Sequence, residues 1–273
     1  MPDESETSLV HSSRLKVWKD IAPHLKQWLV ALMFPTVSII LMYTLTSSEC
    51  PISGYLGPGG LYAGGSMQNC TGGASFIVDK FLFSNHLDNN PSCQLMYGTG
   101  QFDRYGMLGS LNAVLLCFFG VQFGRTWLTF EKPSDKISRF LANSVFWGAI
   151  GILLCAAHKE IGWIPINSNL FSLSYVLICA SLCYFCLAWL LTLTDIFQVW
   201  SGAPFVHLGS NSLLLYVCYH VLANYFPFSF ADKNSEFFTN PSHESLIIQN
   251  SISVFCWWLL SCYLYRNNFF FVI

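Results

Sequence analysis

The chain has 273 residues, of which 53% are hydrophobic and only 10% charged, with a mean hydropathy of +0.46. A soluble domain carries about 25% charged residues, so this composition cannot cover a water-exposed surface and reads as that of a membrane protein. A formal net charge of −2 excludes the basic footprint of a nucleic-acid-binding protein.

A bilayer crossing needs about 20 predominantly apolar helical residues. Residues 1–26 are polar, carry no cleavable signal pattern, and are read as a cytosolic N-terminus. A first span is expected from Gln27 to Thr46, with Pro35 inside it as a kinking residue. After a long loop over residues 47–105, further spans are expected at Gly106–Leu128, Phe140–Ala157, Leu170–Leu193, Leu208–Phe226 and Ile248–Tyr265. The expectation is an all-α polytopic membrane protein, with about six transmembrane helices filling residues 27–265 and a cytosolic tail at 266–273.

Basic residues orient the spans. Arg14, Lys16, Lys19 and Lys26 precede the first, Arg125, Lys132, Lys136 and Arg139 cluster between the second and third, and Arg266 follows the sixth. The opposite loops hold Lys80, Arg104, Lys159 and Lys233 over many more residues. The positive-inside rule then puts both termini in the cytosol and the 47–105 loop on the other side. That loop opens with the glycine- and proline-rich run Cys50 to Gly60, a composition that fixes turns. It also carries Asn69-Cys70-Thr71, an N-glycosylation acceptor pattern used only on the non-cytosolic side. The two signals agree.

Most of the eleven cysteines lie in apolar runs, where cysteine behaves as a small hydrophobe. Cys183 and Cys186 fall inside an apolar helix, so no zinc site is expected, and no His, Asp or Glu cluster has metal-ligand spacing. Cys50, Cys70 and Cys93 share the polar loop. Three is an odd number, and a Cys50–Cys70 bridge is one option among several.

The best polar constellation lies in the fifth span. Ser212, Tyr216, His220 and Asn224 recur every four residues and form one stripe on a helix, with Asn211 beside its cytosolic end. Polar groups in hydrocarbon need partners or water, so the stripe is expected to face the bundle interior. It reads either as the wall of a substrate or cofactor site, with His220 available for proton transfer, or as interhelical hydrogen bonding that packs the bundle. In the second span, Gly120 and Gly124 form a GxxxG pair read as close helix packing. The rim of Arg125, Lys132 and Lys136 suits lipid headgroups or the phosphates of an anionic cofactor such as coenzyme A. Residue types alone leave a small-solute transporter, an enzyme and a non-catalytic regulatory subunit open.

Several blocks resemble the C-terminal half of the heparan-α-glucosaminide N-acetyltransferase family of lysosomal polytopic membrane enzymes. They are Gly54-Tyr-Leu-Gly-Pro-Gly-Gly60, Asn69-Cys-Thr-Gly-Gly-Ala74, Gly120-Val-Gln122 and Ile164-Pro165 through Asn169-Leu-Phe-Ser-Leu-Ser-Tyr-Val176. Leu208-Gly-Ser-Asn-Ser212 and Asn224-Tyr-Phe-Pro-Phe228 continue the series. The resemblance runs from about Trp28 to the C-terminus. It implies transfer of an acetyl group from cytosolic acetyl-CoA to the terminal glucosamine amine of heparan sulfate in the lysosomal lumen.

The family's catalytic histidine stands beside a Trp-Asn-Gly motif in the N-terminal half, with a luminal domain and about five spans. This sequence holds no such constellation. In the fifth span it has Tyr219-His220 where the family has His-Glu. The resemblance therefore implies part of a pocket and of a cofactor path without the base, for which His220 stands only as a substitute. It further implies a partner: a second copy of the chain, or an N-terminal half encoded elsewhere.

Overall fold

The structure is a computed structural model, and it describes residues 21–46, 50, 53–57, 59–61, 65, 70–83, 87, 98–99, 103, 106–156, 162–222 and 243–271. Asn69, Asn224 and Cys93 lie outside the described residues, as do residues 1–20. The described residues form eight α-helices and no strand: α1 (Leu25–Thr44), α2 (Ala74–Phe83), α3 (Met107–Thr129), α4 (Pro133–Leu154), α5 (Leu173–Leu191), α6 (Phe205–Ser210), α7 (Ser212–Leu222) and α8 (His243–Arg266). A 3₁₀ turn, Ala22–His24, leads into α1, and a π-helical turn, Thr192–Ile196, ends α5. Five of these helices are long and apolar enough to cross a membrane, and α7 is a shorter apolar helix. The chain is an all-α polytopic membrane protein.

The fifth expected span departs from a single helix. The chain leaves helical geometry at Asn211 (φ −127°, ψ 34°), which separates α6 from α7. The description of α7 ends at Leu222.

Two compact units divide between Ile196 and Phe197. In the first, burial follows helical periodicity. On α1 the buried residues are Trp28, Ala31, Pro35, Ser38 and Met42, steps of three and four that mark one face. On α3 Leu108, Asn112, Leu115, Phe119, Gln122 and Thr126 do the same, and on α5 Leu177, Ala180, Tyr184, Ala188 and Leu191. These faces meet in one core with Phe140 of α4. Trp28 stacks on Trp147, with Phe119 edge-on to both. The Tyr184 hydroxyl donates to the Phe119 carbonyl at 3.0 Å, so its polar end is satisfied inside the core. Opposite faces carry exposed Leu29, Val145, Leu153, Phe185 and Trp189, which suits contact with lipid chains.

Close approach of α4 and α5 depends on two glycines. A Cβ on Gly151 would lie 2.9 Å from Ile178 Cγ1, and one on Gly148 2.6 Å from Ser181 Oγ. Ser144 and Ser181 pair alongside, with Ser181 Oγ donating to the Ser144 carbonyl at 2.8 Å. Gly120 and Gly124 behave differently: a Cβ on either would meet no atom of the described residues within 4 Å. The GxxxG pair read from the sequence as a packing motif faces open space, and the tight crossing lies one hairpin further on.

The second unit is held at one end by Asn211 and by rings. His207 lies 4.5 Å from Tyr265, and Tyr265 5.8 Å from Phe270. Toward the other end, Tyr219 meets Trp257 at 6.3 Å.

Candidate functional site

The blocks that carry the family resemblance are far apart in sequence, and three of them meet in the first unit. Gly54 and Gly59 adopt φ of +76° and +65°, a left-handed backbone open to glycine at little cost. A Cβ on Gly59 would lie 2.7 Å from the Thr71 nitrogen, so only glycine lets the two stretches touch. Gly72 N–H donates to the Gly57 carbonyl at 3.0 Å, and Cys50 and Cys70 are joined by a disulfide with Cα atoms 4.9 Å apart. The Asn167 side chain then ties in the third block. Its Nδ2 donates to the Leu56 carbonyl at 2.7 Å, while its Oδ1 accepts from Asn169 N at 2.9 Å. Ser172 Oγ accepts from Asn167 N at 3.0 Å and from Tyr175 N, which caps the start of α5. The Tyr43 hydroxyl of α1 donates to the Trp163 carbonyl.

This cap sits over the ends of α1, α3 and α5 and closes a small cavity. Ser38, Met42, Leu56, Ser75, Leu108, Asn112, Leu170 and Ser172 are among its lining residues. Asn112 donates through Nδ2 to the Phe171 carbonyl at 2.9 Å. At the cap's edge, Asp79 is buried and accepts from the Met107 N–H at 2.8 Å, capping the start of α3. Burial pushes its carboxyl above the ordinary range; the Met107 hydrogen bond opposes this and the nearby Asp103 adds to it. Burial likewise raises the Tyr55 phenol, whose oxygen accepts from Gly59 N–H at 3.1 Å. The sequence does not link Asn112, Asn167 or Asp79 to the cap. Each engages a backbone group distant in sequence, Asn112 that of Phe171, Asn167 that of Leu56 and Asp79 that of Met107, and no local pattern encodes such a partner.

The described members of the polar stripe are exposed and not turned into the interior as expected, whereas Asn211 beside them is buried. Asn211 is buried, and its carboxamide grips the chain after α8: Nδ2 donates to the Phe269 carbonyl at 2.8 Å, and Oδ1 accepts from Phe271 N at 2.9 Å. Ser212, Tyr216 and His220 lie on exposed positions of α7. The rings of Tyr216 and His220 are 4.4 Å apart, and His220 Nδ1 is 3.0 Å from the Tyr216 carbonyl. A carbonyl only accepts, so Nδ1 carries the hydrogen and Nε2 is the nitrogen left to act as a base. Asn224 lies outside the described residues, as does Asn69.

The basic rim also divides. At the α3–α4 turn, half-buried Lys136 lies over the Trp127 ring at 4.2 Å from its centroid, and exposed Lys132 occupies the N-cap position of α4. Arg125 instead hydrogen-bonds Gln27 of α1 and lies 5.8 Å from the Phe118 centroid. Lys132 and Lys136 offer donors suited to phosphates at the α3–α4 turn. No group of three or more metal-ligating side chains occurs among the described residues.

No protein-family model matches the chain. Over 258 residues, 93% of its length, it is 37% identical to the heparan-alpha-glucosaminide N-acetyltransferase of Homo sapiens and 36% identical to that of Mus musculus. The match falls in the C-terminal part of those proteins, and the chain spans 38% of their length.

Proposed function

From a similarity that runs through nearly the whole chain, we propose that it forms the C-terminal part of a membrane acetyltransferase. The donor is acetyl-CoA, presented from the cytosolic side, and the acceptor is the terminal glucosamine amine of heparan sulfate in the lumen of the lysosome. The observation that carries this reading is the 37% identity over 258 residues. Acetyl-CoA when bound supplies an activated thioester. Acetyl transfer then needs a base for the attacking amine and donors for the thioester oxygen as it gains charge.

The described residues divide these tasks unevenly. Lys132 and Lys136 provide phosphate-compatible charge at the end read as cytosolic. The cap built by Gly54, Gly59, the Cys50–Cys70 bridge and Asn167 is the luminal platform in this reading, with Asn69-Cys70-Thr71 as the glycosylation acceptor sequence. A base beside Trp-Asn-Gly is not in this sequence, so the proposal assigns it to an N-terminal half, supplied by a partner chain or by a longer form of this one. Homo-oligomer formation would cover helix faces in the same way. Both termini are proposed to be cytosolic.

The test is acetyl transfer from labelled acetyl-CoA to glucosamine in membranes holding this chain alone, or with the N-terminal part of the human relative. Activity only in the combination supports the proposal, and absence of activity in the combination sinks it. Activity of the chain alone that disappears in His220→Ala would make His220 Nε2 the base.

A further inference from the structure

Between α1 and α3 the first unit has a groove of about 460 Å³, lined by Lys26, Gln27, Val30, Ala31, Phe34, Val114, Phe118, Val121 and Arg125. Its chemistry is graded. Lys26, Gln27 and Arg125 stand at one end and every other lining residue is apolar. Two cations share that end, and no carboxylate lines the groove among the described residues. Arg125 uses one guanidinium nitrogen on Gln27, while Nη1 is buried with no hydrogen-bond partner among the described residues. A buried guanidinium nitrogen without an acceptor is costly, and an anion seated at this end would satisfy it.

We infer that this groove binds an anionic phospholipid, its headgroup phosphate between Lys26 and Arg125 and one acyl chain laid along Val30, Phe34, Val114 and Val121. Length supports a lipid over a crossing helix. A helix rises about 12 Å from Lys26 to Phe34 and about 16 Å from Val114 to Arg125. One leaflet of hydrocarbon is about 15 Å deep, half of the bilayer core. The groove therefore matches a single acyl chain, whereas a partner helix would need a groove through both leaflets. Its wall is open for a ligand, since Val30, Val114 and Val121 are exposed. Basic pockets between transmembrane helices are suited to acidic headgroups. Arg125 belongs on this reading with Lys26 and not with Lys132 and Lys136.

The inference is independent of acetyl transfer and is tested without it. The full chain, purified in mild detergent, is incubated with phosphatidylglycerol or phosphatidylcholine, and bound lipid is counted by native mass spectrometry. Phosphatidylglycerol is expected at tenfold or more the occupancy of phosphatidylcholine. The double variant Lys26→Gln, Arg125→Gln should bring it to the phosphatidylcholine level. Val30→Trp, placed at an exposed position where bulk is tolerated, should block the chain path and lower retention tenfold with both cations intact. Equal retention of the two lipids would overturn the inference, as would retention unchanged in both variants. Displacement of phosphatidylglycerol by coenzyme A would overturn it too, by giving the groove to the other ligand.

Discussion

Phe271 N–H donates at 2.9 Å to the Oδ1 of Asn211, sixty positions earlier in the chain. The same carboxamide donates from Nδ2 to the Phe269 carbonyl, so one side chain holds both directions of the backbone after α8. Buried and doubly engaged, Asn211 works as a clamp.

Asn211→Ala should release that clamp. Two backbone groups would lose their partner, at about 1–3 kcal/mol for each one left buried. A lower unfolding temperature and faster thiol labelling of a cysteine placed at Phe271 are the expected results. Asn211→Asp should not rescue, because it lacks the donor for the Phe269 carbonyl.

Breaking the Cys50–Cys70 bridge with Cys50→Ser should loosen the cap. The bridge closes a sequence separation of 20 residues, which in the chain-entropy account contributes about 3 kcal/mol. Thermal unfolding of the variant, and of the unaltered chain under reductant, should fall together. Cys70→Ser should add nothing further to Cys50→Ser.

Glycines on neighbouring helices should respond in opposite ways. Gly151→Val would drive a side chain into Ile178 and cost about 1–3 kcal/mol through overpacking. Gly124→Ala meets open space and should stabilise α3 by up to about 1 kcal/mol through helix propensity. Detergent-solubilised melting of the two variants reads both signs.

Asp79 sets a pH dependence. Its folded pKa is raised above the ordinary 3.8, first by burial, so the native state holds a proton that the unfolded chain has already lost. By linkage, stability from this group is greatest below 3.8 and declines as pH rises through the window up to its folded pKa. Asp79→Asn should flatten that decline and retain an oxygen to accept from Met107 N–H. Equal pH slopes for the two proteins in that window would refute the assignment.

Much of the architecture was legible before any coordinates. The ends of the first two spans, read at Gln27 and Gly106, lie within two residues of the helix starts at Leu25 and Met107, because long apolar runs carry their own boundaries. What periodicity could not reveal were partners distant in sequence. Asn211 was read only as standing beside the stripe of Ser212, Tyr216, His220 and Asn224, yet its partners are the Phe269 carbonyl and the Phe271 N–H, which no side-chain pattern encodes. Gly120 and Gly124 matched a packing motif that only a facing helix could make real, while Gly148 and Gly151, at a spacing of three, found one in α5. The cap was visible only as separate blocks, since Asn167 joins Leu56 through a hydrogen bond that crosses 111 residues.

At the α3–α4 turn, Lys136 rests on Trp127 and Arg139 lies 5.3 Å from the centroid of Phe130. Cationic heads over aromatic faces are at home where water gives way to hydrocarbon. The pair of contacts makes the turn a mooring: sliding the hairpin inward drags charge into oil, and sliding it outward strips rings from their berth. A helix the length of α3 rises about 34 Å, slightly more than the hydrocarbon core of about 30 Å. The depth at which the hairpin is tied on one side therefore sets how far the glycine cap stands proud of the membrane on the other.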